Sequence, residues 1–135
     1  MAYNFAPAGN VMAIAEQQYG TAQEVRFTQF TSCIGLLARA GNNVTGVHLV
    51  MVSADDTPFD NAAADAAVAL LPAYTQVVVI GQTQMWNDNL NGPYNYLLGL
   101  LANPVIIDVN DGIYGGRVEA GVFQTYQNGV YVNVP

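Results

Sequence analysis

The stretch TSCIGLLARAGNNVTGVHLVMV, residues 31–52, sets two apolar runs on either side of a break rich in Gly and Asn. Short apolar runs bounded by such residues read as strands, here Cys33 to Ala40 and Val47 to Val52, with Gly41-Asn42-Asn43 and Gly46 as turn residues. The only cysteine of the chain, Cys33, lies on the first run, and the only histidine, His48, on the second. A thiol becomes a nucleophile when it is ionised, and a nearby imidazole is the usual means of lowering its pKa. The bland alternative is a small buried hydrophobe and a histidine that satisfies a local hydrogen bond. The turn decides between them. A tip at Asn42-Asn43 leaves Cys33 too far along the strand from His48, and a tip at Ala40-Gly41 puts them directly opposite. Intermediate registers need an asymmetric loop or a bulge. Catalysis requires a separation within hydrogen-bonding range or one water.

Outward from this pair, Tyr3 to Ala6 reads as extended. Asn10 is placed to cap a helix through Tyr19, with Val11, Ile14 and Ala15 on one face and Gly20 as its stop. Glu24 to Phe30 alternates as a strand does. Asp60 caps an Ala-rich helix that ends at Leu71-Pro72, and Gln76 to Ile80, closed by Gly81, is a buried strand. Pro93 opens a further helix with the stripe Tyr94, Leu97, Leu98 and Leu101. Val105 to Val109 is a strand, and Arg117 to Gln127 and Val130 to Val134 flank Asn128-Gly129, a strong hairpin signal. Strands outnumber helices and several are hairpin-linked. The expected class is α+β, one domain over residues 1–135, a layered sandwich of mixed, largely antiparallel sheet with packed helices.

Composition narrows the function classes. Charged residues are 10% of the chain, the net charge is −7, and Arg26, Arg39 and Arg117 are its only cations, with no lysine. Phosphate binding needs clustered Arg and Lys, so neither nucleic acid nor an anionic membrane is expected as a partner. One cysteine excludes an internal disulfide and a structural zinc site. No apolar run reaches 18 residues, and Met1 to Asn10 lacks the basic-then-apolar form of a signal peptide. Localisation is otherwise open, with a bacterial cytoplasm or delivery to a host cell both compatible.

Five segments in order carry a resemblance. Thr31-Ser32-Cys33 leads into an apolar strand, and Gly46-Val47-His48-Leu49-Val50-Met51 forms a Gly-to-His strand. Asp60 to Leu71 is the next helix. Val77 to Gly81 runs into Gln82-Thr83-Gln84-Met85, and Asp108 is followed by Gly112, Gly115, Gly116 and Arg117. In this the chain resembles the CheD chemoreceptor glutamine deamidases and, in its Cys/His pairing, the catalytic domains of cytotoxic-necrotizing-factor toxins. Thr31 stands where that family has Gly before the Ser-Cys step. Gln82 replaces the second Gly of its Gly-Gly-Ala-Gln-Met stretch, and Asn110 the first Gly of its Asp-x-Gly-Gly segment.

The resemblance implies a protein glutamine deamidase that needs no metal or organic cofactor and acts on a protein presenting a Gln side chain. Cys33 would be the nucleophile and His48 the acid and base. The oxyanion would sit on the Cys33 backbone N–H and the Ser32 hydroxyl. The family's third member, a Thr on the preceding strand, has Thr28 as its nearest counterpart, and the main-chain carbonyl of Phe27 or Thr28 is the alternative. A transamidase using the same acyl-enzyme, and a catalytically silent interaction module of the same fold, are the rival expectations. The lysine-free composition tilts the setting toward a translocated bacterial effector or toxin domain.

Overall fold

The computed structural model describes residues 3–135. Met1 and Ala2, part of the N-terminal stretch examined above for a signal peptide, lie outside it. Among the described residues the fold is mixed α+β, with two sheets and three helices. The larger sheet holds β1 (Ala6–Pro7), β2 (Gln18–Ala22), β4 (Ile34–Ala40), β5 (Asn43–Leu49), β6 (Gln76–Gly81) and β7 (Val105–Asp108), in the order β1-β2-β5-β4-β6-β7. Its outer pairs β1/β2 and β6/β7 are parallel and its inner pairs antiparallel. The smaller sheet is antiparallel throughout and runs β10 (Val130–Asn133), β9 (Val122–Gln127), β8 (Tyr114–Glu119), β3 (Glu24–Arg26). Central strands β4, β5 and β6 are buried on both faces, which is why they read as unbroken apolar runs rather than alternating ones.

The smaller sheet packs across β4 and β5 through Phe27. Alanine at Gly35 or Gly46 would place a methyl 2.4 Å or 3.2 Å from that ring. Gly46 is therefore a point of close approach inside β5 and not the turn residue that its sequence context suggests. The turn is Gly41-Asn42, with Gly41 at φ +62°, the position where a two-residue hairpin takes glycine. Asn128-Gly129, with φ of +50° and +95°, closes β9 and β10 as expected. Ala120-Gly121 splits the predicted long strand into β8 and β9 with the same left-handed pair of residues.

Helix α1 (Asn61–Ala69) has Asp60 as its cap, accepting from the Ala63 N–H at 2.8 Å, and buries Ala63, Ala64 and Ala67. Helix α3 (Asn91–Leu100) buries Tyr94 and Leu97. Helix α2 (Thr83–Asn89) has no counterpart among the sequence expectations. Its start is held by Asp108, which accepts from the Thr83 hydroxyl and the Gln84 N–H, both at 3.0 Å. The helix expected over Asn10 to Tyr19 does not form. The Asn10 side chain accepts from the Met12 N–H at 2.9 Å, while its carbonyl accepts from Ala13. Asn thus makes a local turn that competes with the helix it was expected to cap. The segment then runs beside the end of β3, where Ile14 bridges Phe27, the residue after that strand, in parallel. No helix among the described residues is long and apolar enough to cross a membrane.

Candidate active site

The Gly41-Asn42 turn sets the register that the sequence left open. His48 lies opposite Gly35, and Cys33 stands two residues before that partner, at the entry to β4. This is the intermediate case, neither direct opposition nor a full offset.

His48 is completely buried and packs against the rings of Phe30 (4.8 Å) and Phe27 (5.5 Å), which also touch each other. Burial lowers its pKa, against smaller upward pulls from Ile14 and Glu16, so the ring is neutral. Its Nδ1 lies 2.8 Å from the Ile14 carbonyl, which can only accept, so the proton sits on Nδ1 and Nε2 carries a lone pair. That Nε2 is buried and has no hydrogen-bond partner.

The Ile14 carbonyl is fixed from several directions. The Ile14 N–H donates to Arg26 at 2.8 Å, and the carbonyl also accepts the Thr28 N–H at 3.0 Å. Thr28 thus meets the histidine through a shared acceptor, by its main chain. The group orienting the imidazole is the carbonyl of Ile14, in place of the Thr28 side chain or the carbonyls of Phe27 and Thr28.

Cys33 is 1% exposed, and its thiol donates to the Glu16 carboxylate at 3.9 Å, at the outer limit of a sulfur hydrogen bond. It makes no hydrogen bond to His48. Burial pushes the thiol up to about 11, with Glu16 adding to the rise and the main-chain N–H groups of Ser32 and Thr31 opposing it. The lowered pKa expected from a paired imidazole is therefore not the resting state. Thiol and imidazole rest as a neutral pair.

The Cys33 N–H, expected to hold an oxyanion, donates to the Gln82 side-chain oxygen at 3.1 Å. The Gln82 N–H in turn donates to the Cys33 carbonyl at 2.9 Å. The neighbouring Ser32 carbonyl accepts the Trp86 indole N–H at 2.9 Å. Gly81, at φ +143°, lets the chain pass so close that a methyl there would sit 2.3 Å from the Cys33 carbonyl oxygen. Sequence reasoning did not find Ile14, Glu16 or Gln82 as members of this site. Only Gln82 left a trace, as the residue standing where the resembled family has glycine.

The raised thiol has a direct consequence. Iodoacetamide alkylation of Cys33 is expected to keep accelerating above pH 9 toward about 11, where an ordinary thiol has already levelled off. Glu16→Gln removes a negative charge that disfavours the thiolate, so it should lower the midpoint and speed alkylation at pH 9. The folded value lies above the unfolded 9.0, so the stability that this thiol contributes is intact below pH 9 and is lost as pH rises through about 11. A rate profile that plateaus near pH 8.5 would show that the thiol is not shielded in this way.

Among the described residues no group of three or more His, Cys, Asp or Glu is placed to hold a metal. No family model and no curated protein matches the chain. Among solved structures it is similar to the C-terminal domain of CNFy from Yersinia pseudotuberculosis, with 11% identity and a TM-score of 0.41. The match covers 83% of this chain and 52% of that one, so the chain spans about half of that domain's length. A likeness of this degree carries no weight for the activity.

Proposed function

We propose that the protein is a cysteine hydrolase acting on a carboxamide, the side chain of a glutamine in a protein substrate. The observation that carries this reading is the state of His48. Its Nδ1 proton is held by the Ile14 carbonyl, and its Nε2 is left buried, with a free lone pair and no partner, while the only thiol stands two residues before Gly35, the strand partner of His48. A buried polar atom without a partner costs about 1–3 kcal/mol and calls for a reason, which a general base supplies.

In the reaction the Cys33 sulfur leaves Glu16 for His48. Nε2 takes the thiol proton as sulfur bonds to the carboxamide carbon, and the carbonyl π electrons move to oxygen. When the oxyanion collapses, the C–N bond breaks and the nitrogen leaves as ammonia with the proton from His48. A thioester remains. Water gives a proton to His48 as its oxygen bonds to the thioester carbon, the C–S bond breaks as sulfur takes that proton back from His48, and the new carboxyl ionises to glutamate. The Ile14 carbonyl steadies the imidazolium in both halves, as a triad's third member does. An amine in place of water would make the same intermediate transamidate.

Burial of both Cys33 and His48 favours a second reading, an interaction module of the same fold with an inert thiol. Mass spectrometry of candidate substrate proteins incubated with this chain separates the two. The hydrolase gives a gain of about 1 Da at a glutamine, the mass of an NH₂-to-OH exchange, absent with Cys33→Ser. An unchanged substrate set, with Cys33 inert to iodoacetamide in the folded protein, leaves the module.

A further inference from the structure

Two buried side-chain nitrogens among the described residues have no hydrogen-bond partner, His48 Nε2 and Gln82 Nε2. The first belongs to the strand partner of Gly35, two residues after Cys33, and the second to the side chain that accepts the Cys33 N–H. His48 Nε2 has a role in the reaction above, whereas Gln82 Nε2 does not. We propose that the Gln82 side-chain amide is the donor that holds the oxyanion formed on the substrate carboxamide, a role that rests on the hydrolase reading.

The orientation of this amide follows from chemistry. The Cys33 N–H is a donor, so the end of Gln82 that meets it at 3.1 Å is the oxygen. Turning the amide over would set two donors face to face. The NH₂ end is thereby assigned, and it presents two N–H groups with no acceptor in a residue only 6% exposed. Main chain and side chain of Gln82 together engage both the N–H and the carbonyl of Cys33, so the amide is tied to the nucleophile's own backbone. Gly81, pressed against the Cys33 carbonyl, fixes the approach from the other side.

This arrangement also replaces what it removes. The Cys33 N–H is taken by Gln82 and is not available to a substrate oxygen, while the same side chain offers a buried donor instead. As sulfur adds to the carbonyl carbon, the oxygen gains the π electron pair and Gln82 Nε2 donates to it. On collapse the oxygen returns that pair and ammonia departs with the His48 proton. A donor already oriented and dehydrated before charge develops is the effective form of electrostatic catalysis. Substituting the family's glycine would remove this donor and release the Cys33 N–H, so position 82 selects which of two donors serves.

The test uses the intact protein and a short peptide whose glutamine carboxamide is replaced by an aldehyde, labelled with ¹³C at that carbon. Sulfur addition gives a hemithioacetal whose oxygen lies where the oxyanion would. The Kd is read from the shifted carbon resonance. Iodoacetamide alkylation is the control, since displacing iodide builds no charge on a carbonyl oxygen. Gln82→Glu keeps an acceptor for the Cys33 N–H and removes the donor, and Gln82→Leu removes both. Gln82→Glu, in which the Cys33 N–H stays occupied, is expected to weaken the adduct by about 10²-fold or more while the limiting alkylation rate of its pH profile stays at the wild-type value. Gln82→Leu, which frees that N–H as a substitute donor, is expected to weaken the adduct less.

Wild-type affinity in both variants would overturn the donor role and leave the hydrolase reading standing. Parallel loss of adduct, alkylation and thermal stability would reduce Gln82 to a clasp on Cys33. A wild-type protein that is alkylated but forms no adduct would overturn the hydrolase reading, and this proposal with it.

Discussion

Cys33→Ser and His48→Ala are each expected to bring glutamine deamidation down by at least about 10³-fold, to the level of the uncatalysed background. Serine keeps the shape of the thiol, but its hydroxyl is a far weaker nucleophile in a site built for sulfur. Alanine at position 48 removes both the acceptor of that proton and the donor to ammonia. In the proposed mechanism the two residues act as one unit, so the double variant should be scarcely slower than either single one. Ammonia release, coupled to a dehydrogenase assay, measures all three. His48→Ala also leaves a cavity beside the Phe27 and Phe30 rings, so its melting curve must accompany its rate. Additive losses, or turnover surviving in Cys33→Ser, would move the nucleophile elsewhere.

The second large effect is on folding. Gly81→Ala is expected to destabilise the protein by about 3 kcal/mol or more, seen as a fall in the urea midpoint at unchanged slope. Two independent causes add. The φ of +143° is a region that residues with a Cβ rarely adopt, and the new methyl would stand 2.3 Å from the Cys33 carbonyl oxygen and 2.7 Å from the Ile34 Cα. Neither neighbour is a flexible side-chain tip that can swing aside, since both are backbone at the entry to β4. Gly92→Ala, where a methyl meets nothing within 4 Å, is the comparison that should cost little. A urea midpoint for Gly81→Ala equal to that of Gly92→Ala would disprove the close approach of the two chains.

Local chemistry was legible where it depends on neighbours in sequence. Asp60 before an Ala-rich run and Asn128-Gly129 between strands each act within a few residues, and each took its expected part. The expectation at Asn10 failed because an asparagine before an apolar stripe fits two local structures. Ile14 pairs with Phe27, thirteen residues away, and that contact decided against the helix. Thr125 and Val118 form a ladder with Gly116 and Phe123 across Ala120-Gly121, where alanine at φ +51° gives no warning of a turn.

The site divides along the same line. Cys33 and His48 stand out because each is the only one of its kind, and the strand pattern places them on adjacent strands. What surrounds them is set by long-range packing. Gln82 reaches Cys33 across 49 positions, and Ile14 reaches His48 across 34. The depth of the thiol, which reverses the expected direction of its pKa, is likewise a property of the assembled layers and of Glu16.

The Ile14 carbonyl belongs to every amino acid alike. A saturation scan of position 14 would therefore see an apolar volume to be filled, and valine or leucine would pass unnoticed. The contact with His48 would survive in all of them, so genetic screens are blind to this member of the site. An ester linkage between residues 14 and 15, introduced by semisynthesis, would keep every side chain and weaken the carbonyl as an acceptor. It is the backbone-directed change that would expose the histidine's anchor. Inheritance at this point would preserve a path of the chain, and the residue letter would be free to drift.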